Sequence, residues 1–147
     1  MRKACPRKSV GGILKRDGEI YLIDRRHEPL GWACPAGHLD EGKTPEEMIG
    51  IEFSEEIGLD AGTSLFLVEE MLPWNNCRRS NGEGHYWYVF AMDDPGGEPV
   101  LDPKEARGGG WFKPEEIQHL GLEPAWRYWL EKLGYINKLG IGYNITR

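Results

Sequence analysis

Three glutamates fall within one short stretch, GIEFSEEIGL, which runs from Gly50 to Leu59. Residues three and four apart are neighbours on a helix, so Glu52, Glu55 and Glu56 would crowd onto one face. Apolar residues border that face on both sides of the helical wheel. Carboxylates that are recessed among apolar residues stay ionised only beside a cation. The pattern therefore predicts a site for a hard ion such as Mg²⁺, which binds oxygen and shares its remaining positions with phosphates.

A second interpretation of the same residues needs no metal ion. The glutamates would then form a solvated face that pairs with nearby Lys or Arg side chains. A zinc site at Cys34 and His38 is disfavoured, because no CxxC or HxxxH pair accompanies them. Spacing alone leaves the choice between a magnesium site and structural glutamates open.

Helix signals stand on both sides of the glutamates. Thr44 is suited to cap the helix start, Pro45 fits the first helical position, and Glu47 completes a capping box. Gly58 suits the end of the helix. We expect Gly50, inside this helix, to allow close packing against a sheet. These signals predict a helix that carries all three acids.

Strand patterns occur both before and after this helix. A hairpin is predicted at Asp17-Gly18, between two apolar stretches. The following Gly/Pro-rich segment reads as a loop with a short strand through Trp32 to Cys34, and SLFLVEEML and HYWYVFAMD read as strands. DDPGGEPVLDPKEARGGG is predicted to be a long loop, and a short strand, a helical turn at Pro114 and a helix in EPAWRYWLEKLG follow it. Interleaved strands and helices predict the α/β class with a mixed sheet.

Composition limits the kinds of protein that the chain can be. Its 147 residues suit a single domain spanning 1–147. A net charge of −6 argues against a nucleic-acid polymer or an anionic membrane as a partner. Three widely spaced cysteines indicate no disulfide framework, and neither a signal peptide nor an apolar run long enough to cross a membrane is recognisable. We therefore expect a cytoplasmic protein.

The stretch GHLDEGKTPEEMIGIEFSEEIGL, Gly37 to Leu59, resembles the sequence box of the Nudix hydrolases. That box is a glycine, five residues, a glutamate, seven residues, and then Arg-Glu-apolar-x-Glu-Glu-x-Gly-apolar. The preceding GWACPA and the later EPVLDPKEARGGGWFKPEEIQHL are also similar to family segments. The resemblance implies an α/β/α sandwich with a central mixed sheet. It also implies a pyrophosphohydrolase that acts on a small-molecule diphosphate of a nucleoside, and it is compatible with a homodimer.

The resemblance also implies roles for individual residues. In the family, carboxylates at the positions of Glu52, Glu55 and Glu56 hold Mg²⁺ or Mn²⁺, helped by a backbone carbonyl at the position of Ala36. The ions polarise the diphosphate and lower the pKa of a bound water. Glu52 is a candidate general base, since a carboxylate beside such a water can take its proton. Some members use a loop glutamate instead, for which Glu105 is our candidate.

Three arginines are candidates for binding the substrate, because guanidinium groups clamp phosphate oxygens. They are Arg25, Arg78 and Arg79.

Two positions depart from the box. Lys43 replaces its first glutamate, and Ile51 replaces the arginine that holds the neighbouring acids. An alternative function is therefore a nucleotide-binding module of the Nudix fold with weakened catalysis.

Overall fold

The structure is a computed structural model that describes residues 6–61, 64–76 and 84–138. Its strands in chain order are β1 (Lys8–Arg16), β2 (Glu19–Arg25), β3 (Gly31–Ala33), β4 (Ala36–His38), β5 (Ser64–Leu72), β6 (His85–Met92) and β7 (Ala106–Phe112). The helices are α1 (Pro45–Ile57), α2 (Pro114–Ile117) and α3 (Pro124–Lys132). None of the helices in the described ranges is long and apolar enough to span a membrane.

The sheet is mixed, as the sequence predicts. Its strand order is β3-β2-β1-β6-β5, with β4 added to β1 and β7 added to β2. The β1–β6 pair is parallel and the other pairs are antiparallel. Along one edge of β1, Ser9–Gly11 pair with β4, whereas Lys15 and Arg16 pair with β2. The edge of β1 is thus shared between two partners, and the sheet separates between them.

Helices α1 and α3 cover opposite faces of the sheet. A Cβ added to Gly12 of β1 would lie 2.6 Å from Phe53 of α1, and one added to Gly11 would lie 2.4 Å from Trp126 of α3. Consecutive strand residues point to opposite faces, so these two glycines admit one large ring on each side. The architecture is therefore α/β/α, which confirms the predicted fold class.

Local sequence signals explain the first hairpin and α1. Asp17 and Gly18 both have positive φ (52° and 81°), which a two-residue turn with right-twisted strands requires. The Thr44 side chain accepts from the Glu47 N–H at 3.1 Å, and the Glu47 carboxylate accepts from the Thr44 N–H at 2.9 Å. Gly58 ends α1 with a φ of 66°. The predicted capping box and helix stop are both present.

Three local expectations differ from the structure. Ala36–His38 form strand β4, although the segment reads mostly as a loop. The Gly108–Gly110 run lies within β7 because β2 pairs with it, and Tyr21 occupies the space that a side chain at Gly109 would need. The expectation for Gly50 is wrong, since a Cβ there would meet no atom within 4 Å. Only the first of these differences concerns the site.

Candidate active site

The three glutamates of α1 differ in their exposure. Glu56 is buried, with 8% of its surface accessible, and Glu52 is partly buried. Glu55 is exposed. The prediction of a recessed acidic face therefore holds for Glu52 and Glu56, which lie one helical turn apart. All three line one pocket.

Strand β4 fixes the positions of the two recessed carboxylates. The Ala36 N–H donates to Oε1 of Glu56 at 3.1 Å. The Glu52 carboxyl group lies against Gly37, where an added Cβ would be 2.2 Å from the Glu52 Cδ. Any side chain at position 37 would displace this carboxylate. This close approach gives a physical reason for the glycine that opens the motif.

Burial and crowding raise the pKa values of both recessed acids. Burial is the main cause for Glu52, whose pKa is raised to about 8, and the charges of Glu55, Glu105 and Asp40 add to it. Burial also raises the pKa of Glu56 well above its ordinary value, and the charge of Glu52 adds to that effect. The Ala36 N–H and the charge of Arg25 act in the opposite direction on Glu56.

These donors are chemically suited to a hard divalent cation. Glu52, Glu55, Glu56 and the carbonyl group of Ala36 offer only oxygen, which Mg²⁺ and Mn²⁺ prefer. A bound cation would offset the repulsion that raises the two pKa values. Within the described part of the chain, however, no three His, Cys, Asp or Glu side chains already converge as a metal-binding cluster.

Arg25 and Glu105 line the same pocket. The Arg25 Nε donates to the Pro29 carbonyl oxygen at 2.7 Å, which anchors the guanidinium at the end of β2. Among the described residues that line the pocket, Arg25 is the one Arg or Lys. Glu105 directly precedes β7, and its carbonyl oxygen accepts from the Arg26 N–H at 3.0 Å. Arg78 and Arg79 lie outside the described residues.

Comparison with known proteins identifies the family. Residues 6–133 match the family model described as the NUDIX domain. The chain belongs to the Nudix family. The predicted family is confirmed, and with it the expectation of an enzyme of the Nudix type.

Two curated relatives and one solved structure illustrate the similarity. The chain is 27% identical to an RNA pyrophosphohydrolase of Gluconobacter oxydans, over 81% of this chain and 79% of the relative. It is 34% identical to an ADP-ribose pyrophosphatase of Methanocaldococcus jannaschii, over 69% of this chain and 60% of the relative. The crystal structure of a MutT NUDIX hydrolase from Burkholderia pseudomallei has a TM-score of 0.73 and 27% identity, covering 85% of this chain and 95% of that one.

The chain spans from about half to about four fifths of the length of the first curated relatives it matches.

Neither departure from the Nudix box adds a charge to the described pocket. Lys43 is exposed, and its charge contributes to lowering the pKa of Glu47, after the Thr44 N–H and hydroxyl. Ile51 packs its partly buried side chain against the apolar cluster beneath α1. Isoleucine offers no hydrogen bond to the acids; in the described structure Glu56 accepts one from the Ala36 N–H, and the Glu52 carboxyl group lies against Gly37.

The pocket also contains residues that the sequence analysis missed. It has a volume of about 340 Å³. Glu123 is buried and accepts from the N–H groups of Ala125 and Trp126, so it caps α3 at the pocket wall. The other pocket residues that were not predicted for this site have polar or aromatic side chains and come from several elements. They are Ser9, Glu28, His38, Asn75, Asn76, His85, Trp87 and Trp126. The Glu-Pro pair before an apolar helix was a usable signal for Glu123, whereas only the tertiary structure gathers the others.

Proposed function

We propose that the protein is a divalent-metal-dependent hydrolase of a diphosphate linkage in a nucleoside diphosphate derivative. The observation that carries the proposal is the recessed pair Glu52 and Glu56, whose pKa values are raised by burial and by nearby carboxylates. Acidic residues in a cleft whose pKa values are strongly shifted are typical of functional sites, because burying such groups does not by itself stabilise the fold. Membership of the Nudix family supports the same chemistry.

Glu52, Glu55, Glu56 and the carbonyl group of Ala36 are the proposed metal ligands. The chemistry supplied by a bound Mg²⁺ or Mn²⁺ is polarisation of the diphosphate and a lower pKa for water. Arg25 is the proposed phosphate-binding residue, since its guanidinium is anchored by a main-chain oxygen and lines the pocket. A fixed guanidinium orients the diphosphate without an additional loss of side-chain freedom on binding.

Two carboxylates, those of Glu52 and Glu105, are candidates for the general base. Glu52 holds its carboxyl group against Gly37, within the proposed ligand set. Glu105 lies next to β7, and its Oε2 is 3.9 Å from Nε2 of His27. We favour Glu52, because it is itself one of the proposed ligands, and a carboxylate beside a metal-bound water is well placed to accept its proton.

The names of the relatives support a diphosphate linkage as the bond that is hydrolysed. Those reported above are named an RNA pyrophosphohydrolase and an ADP-ribose pyrophosphatase, and both names specify hydrolysis at a pyrophosphate. We propose a small nucleotide rather than a nucleic-acid polymer as substrate, because the chain carries a net charge of −6. A cytoplasmic location and a homodimer remain predictions.

A catalytically weakened binding module is the second candidate function. The observation that favours it is Ile51, which packs on apolar residues where the family's arginine would hold the acids. Such a module would bind nucleotides without releasing products.

A single assay separates these functions. The protein is incubated with Mg²⁺ and a panel of nucleoside diphosphate derivatives, and released phosphate-containing products are measured. We expect turnover of at least one compound, abolished by EDTA and reduced about 100-fold in Glu52→Gln. Nucleotide binding without any product would favour the module. Product formation that survives EDTA would contradict metal dependence.

A further inference from the structure

A row of side chains at one end of the described pocket has no role in the proposed hydrolysis. Strand register places Ser9 of β1 beside His38 of β4 and beside Trp87 of β6. His85 lies two residues before Trp87 and therefore on the same face. His38 lies two residues after Ala36, so the row is about 7 Å along the sheet from the point where β4 holds Glu56.

Asn75 is held beside this row by three hydrogen bonds. Its N–H donates to the Leu72 carbonyl oxygen at 3.1 Å. Its own carbonyl oxygen lies 2.6 Å from Nδ1 of His85. Its side-chain Oδ1 accepts from Nε1 of the buried Trp87 at 2.6 Å. Main chain and side chain are thus both fixed before any ligand arrives.

These partners also fix which way the Asn75 amide faces. The indole N–H of Trp87 can only donate, so the amide atom facing it must be oxygen. The amide NH₂ of Asn75, a residue that lines the pocket, is consequently turned away from Trp87. The same reasoning applies to His85, because a carbonyl oxygen only accepts and Nδ1 must carry the hydrogen. In the neutral ring the lone pair is then on Nε2.

We propose that Asn75, with His85 and His38, reads the nucleobase of the substrate. This inference rests on the proposed hydrolysis of a nucleotide derivative and names the residues that select it. The row offers hydrogen-bonding groups and two stacked imidazole rings, with centroids 5.7 Å apart and planes at 17°. It contains no Arg or Lys, and Arg25 is the one such residue among the described residues lining the pocket. A flat, neutral base suits the row better than a phosphate does.

The substitution Asn75→Asp tests the donor with little change of shape. An aspartate retains an oxygen that can accept from Trp87 and retains both main-chain hydrogen bonds, but it loses the NH₂ group. Binding of the nucleoside 5′-monophosphates and of ribose 5-phosphate is measured by ligand-observed NMR without metal. We expect the preferred nucleotide to bind about tenfold or more weakly to the variant. Ribose 5-phosphate should lose about threefold at most, since it detects only the added charge.

Equal losses for the nucleotide and for ribose 5-phosphate would overturn the inference, because the added charge would then explain the whole effect. A measurement on the unaltered protein covers the case in which the variant fails to fold. With the unaltered protein, one nucleoside 5′-monophosphate should bind about tenfold more tightly than at least one that carries another base. No preference among bases, or no detectable binding of any nucleotide, overturns the inference.

The inference and the proposed function can fail separately. Turnover of diphosphates without base preference would contradict the role proposed for Asn75 but would support the proposed hydrolase. Base-selective binding without turnover would leave the role of Asn75 and remove the hydrolase.

Discussion

At the scale of single residues, two contacts with β4 determine what Glu52 and Glu56 can do. The Ala36 N–H holds one oxygen of Glu56, and the missing side chain at Gly37 leaves space for the Glu52 carboxyl group. Both acids are thereby kept near each other in a pocket where burial raises their pKa values. In the proposed metal site, two of the ligands would therefore already lie close together before a cation binds.

The substitution Glu56→Gln separates a metal ligand from a structural glutamate. Glutamine keeps the shape of the side chain and an oxygen that accepts from the Ala36 N–H, but it removes the buried charge. We expect turnover to fall about 100-fold, in line with other electrostatic contributions to catalysis. Stability without metal should stay level or rise, and the Mg²⁺-induced increase in melting temperature should shrink.

Steady-state kinetics and thermal melts with and without Mg²⁺ measure these effects. Loss of activity together with loss of metal-free stability would point to a folding defect. Full activity in a folded variant would remove Glu56 from the proposed site.

At the scale of elements, helix α1 has stabilising capping residues at both ends, but it has a glycine, which disfavours helix, in its middle. Its capping box and its C-terminal glycine follow the sequence signals closely. Gly50 lies inside the helix with no atom within 4 Å of an added Cβ. That position carries the conformational cost of glycine and gains no close packing in return.

The substitution Gly50→Ala should therefore stabilise the protein by roughly 0.5 to 1 kcal/mol, which is the difference in helix propensity. Gly58→Ala is the matched control on the same helix. Its φ of 66° disfavours an L side chain, and an added Cβ would lie 3.3 Å from the Val100 carbonyl oxygen. It should destabilise the protein. Urea unfolding measures both changes, and a stabilising Gly58→Ala or a destabilising Gly50→Ala would contradict this account.

At the scale of the whole molecule, the acidic pocket links stability to pH. The pKa of Glu52 is about 8 in the folded protein and 4.5 as its ordinary value. Between these values the folded state binds more protons than the unfolded state, so stability decreases as pH rises. The contribution of Glu52 to the stability of the folded protein is fully present below about pH 4.5 and is lost as pH rises through about 8. The raised pKa of Glu56 acts in the same direction.

We expect the melting temperature of the metal-free protein to fall between about pH 5 and pH 8 because of these two acids. Glu52→Gln should flatten that slope. Millimolar Mg²⁺ should raise the melting temperature most at the upper end of the range, where the carboxylates are ionised and able to bind it. Calorimetry at several pH values measures both effects. An Mg²⁺ effect that is independent of pH, or a slope unchanged in Glu52→Gln, would show that other groups control the stability of this protein.

Features that depend on neighbouring residues can be predicted from the amino-acid sequence alone. Asp17-Gly18 specifies the hairpin through its two positive φ angles, and Thr44 with Glu47 specifies the start of α1 through reciprocal hydrogen bonds. The spacing of Glu52, Glu55 and Glu56 along α1 is likewise local. Each of these signals lies within about one helical turn or one tight turn of chain.

Which of those acids are recessed, and what surrounds them, depends on contacts between distant parts of the chain. Glu56 is buried and accepts a hydrogen bond from Ala36 of β4, whereas Glu55 is exposed. The sequence did not predict β4 as a strand, because its segment is rich in Gly and Pro. His38, Asn75 and His85 come from three separate parts of the chain and meet because β4, the end of β5 and β6 converge on the pocket. Such contacts depend on strand pairing between distant residues, which no periodicity within one segment encodes.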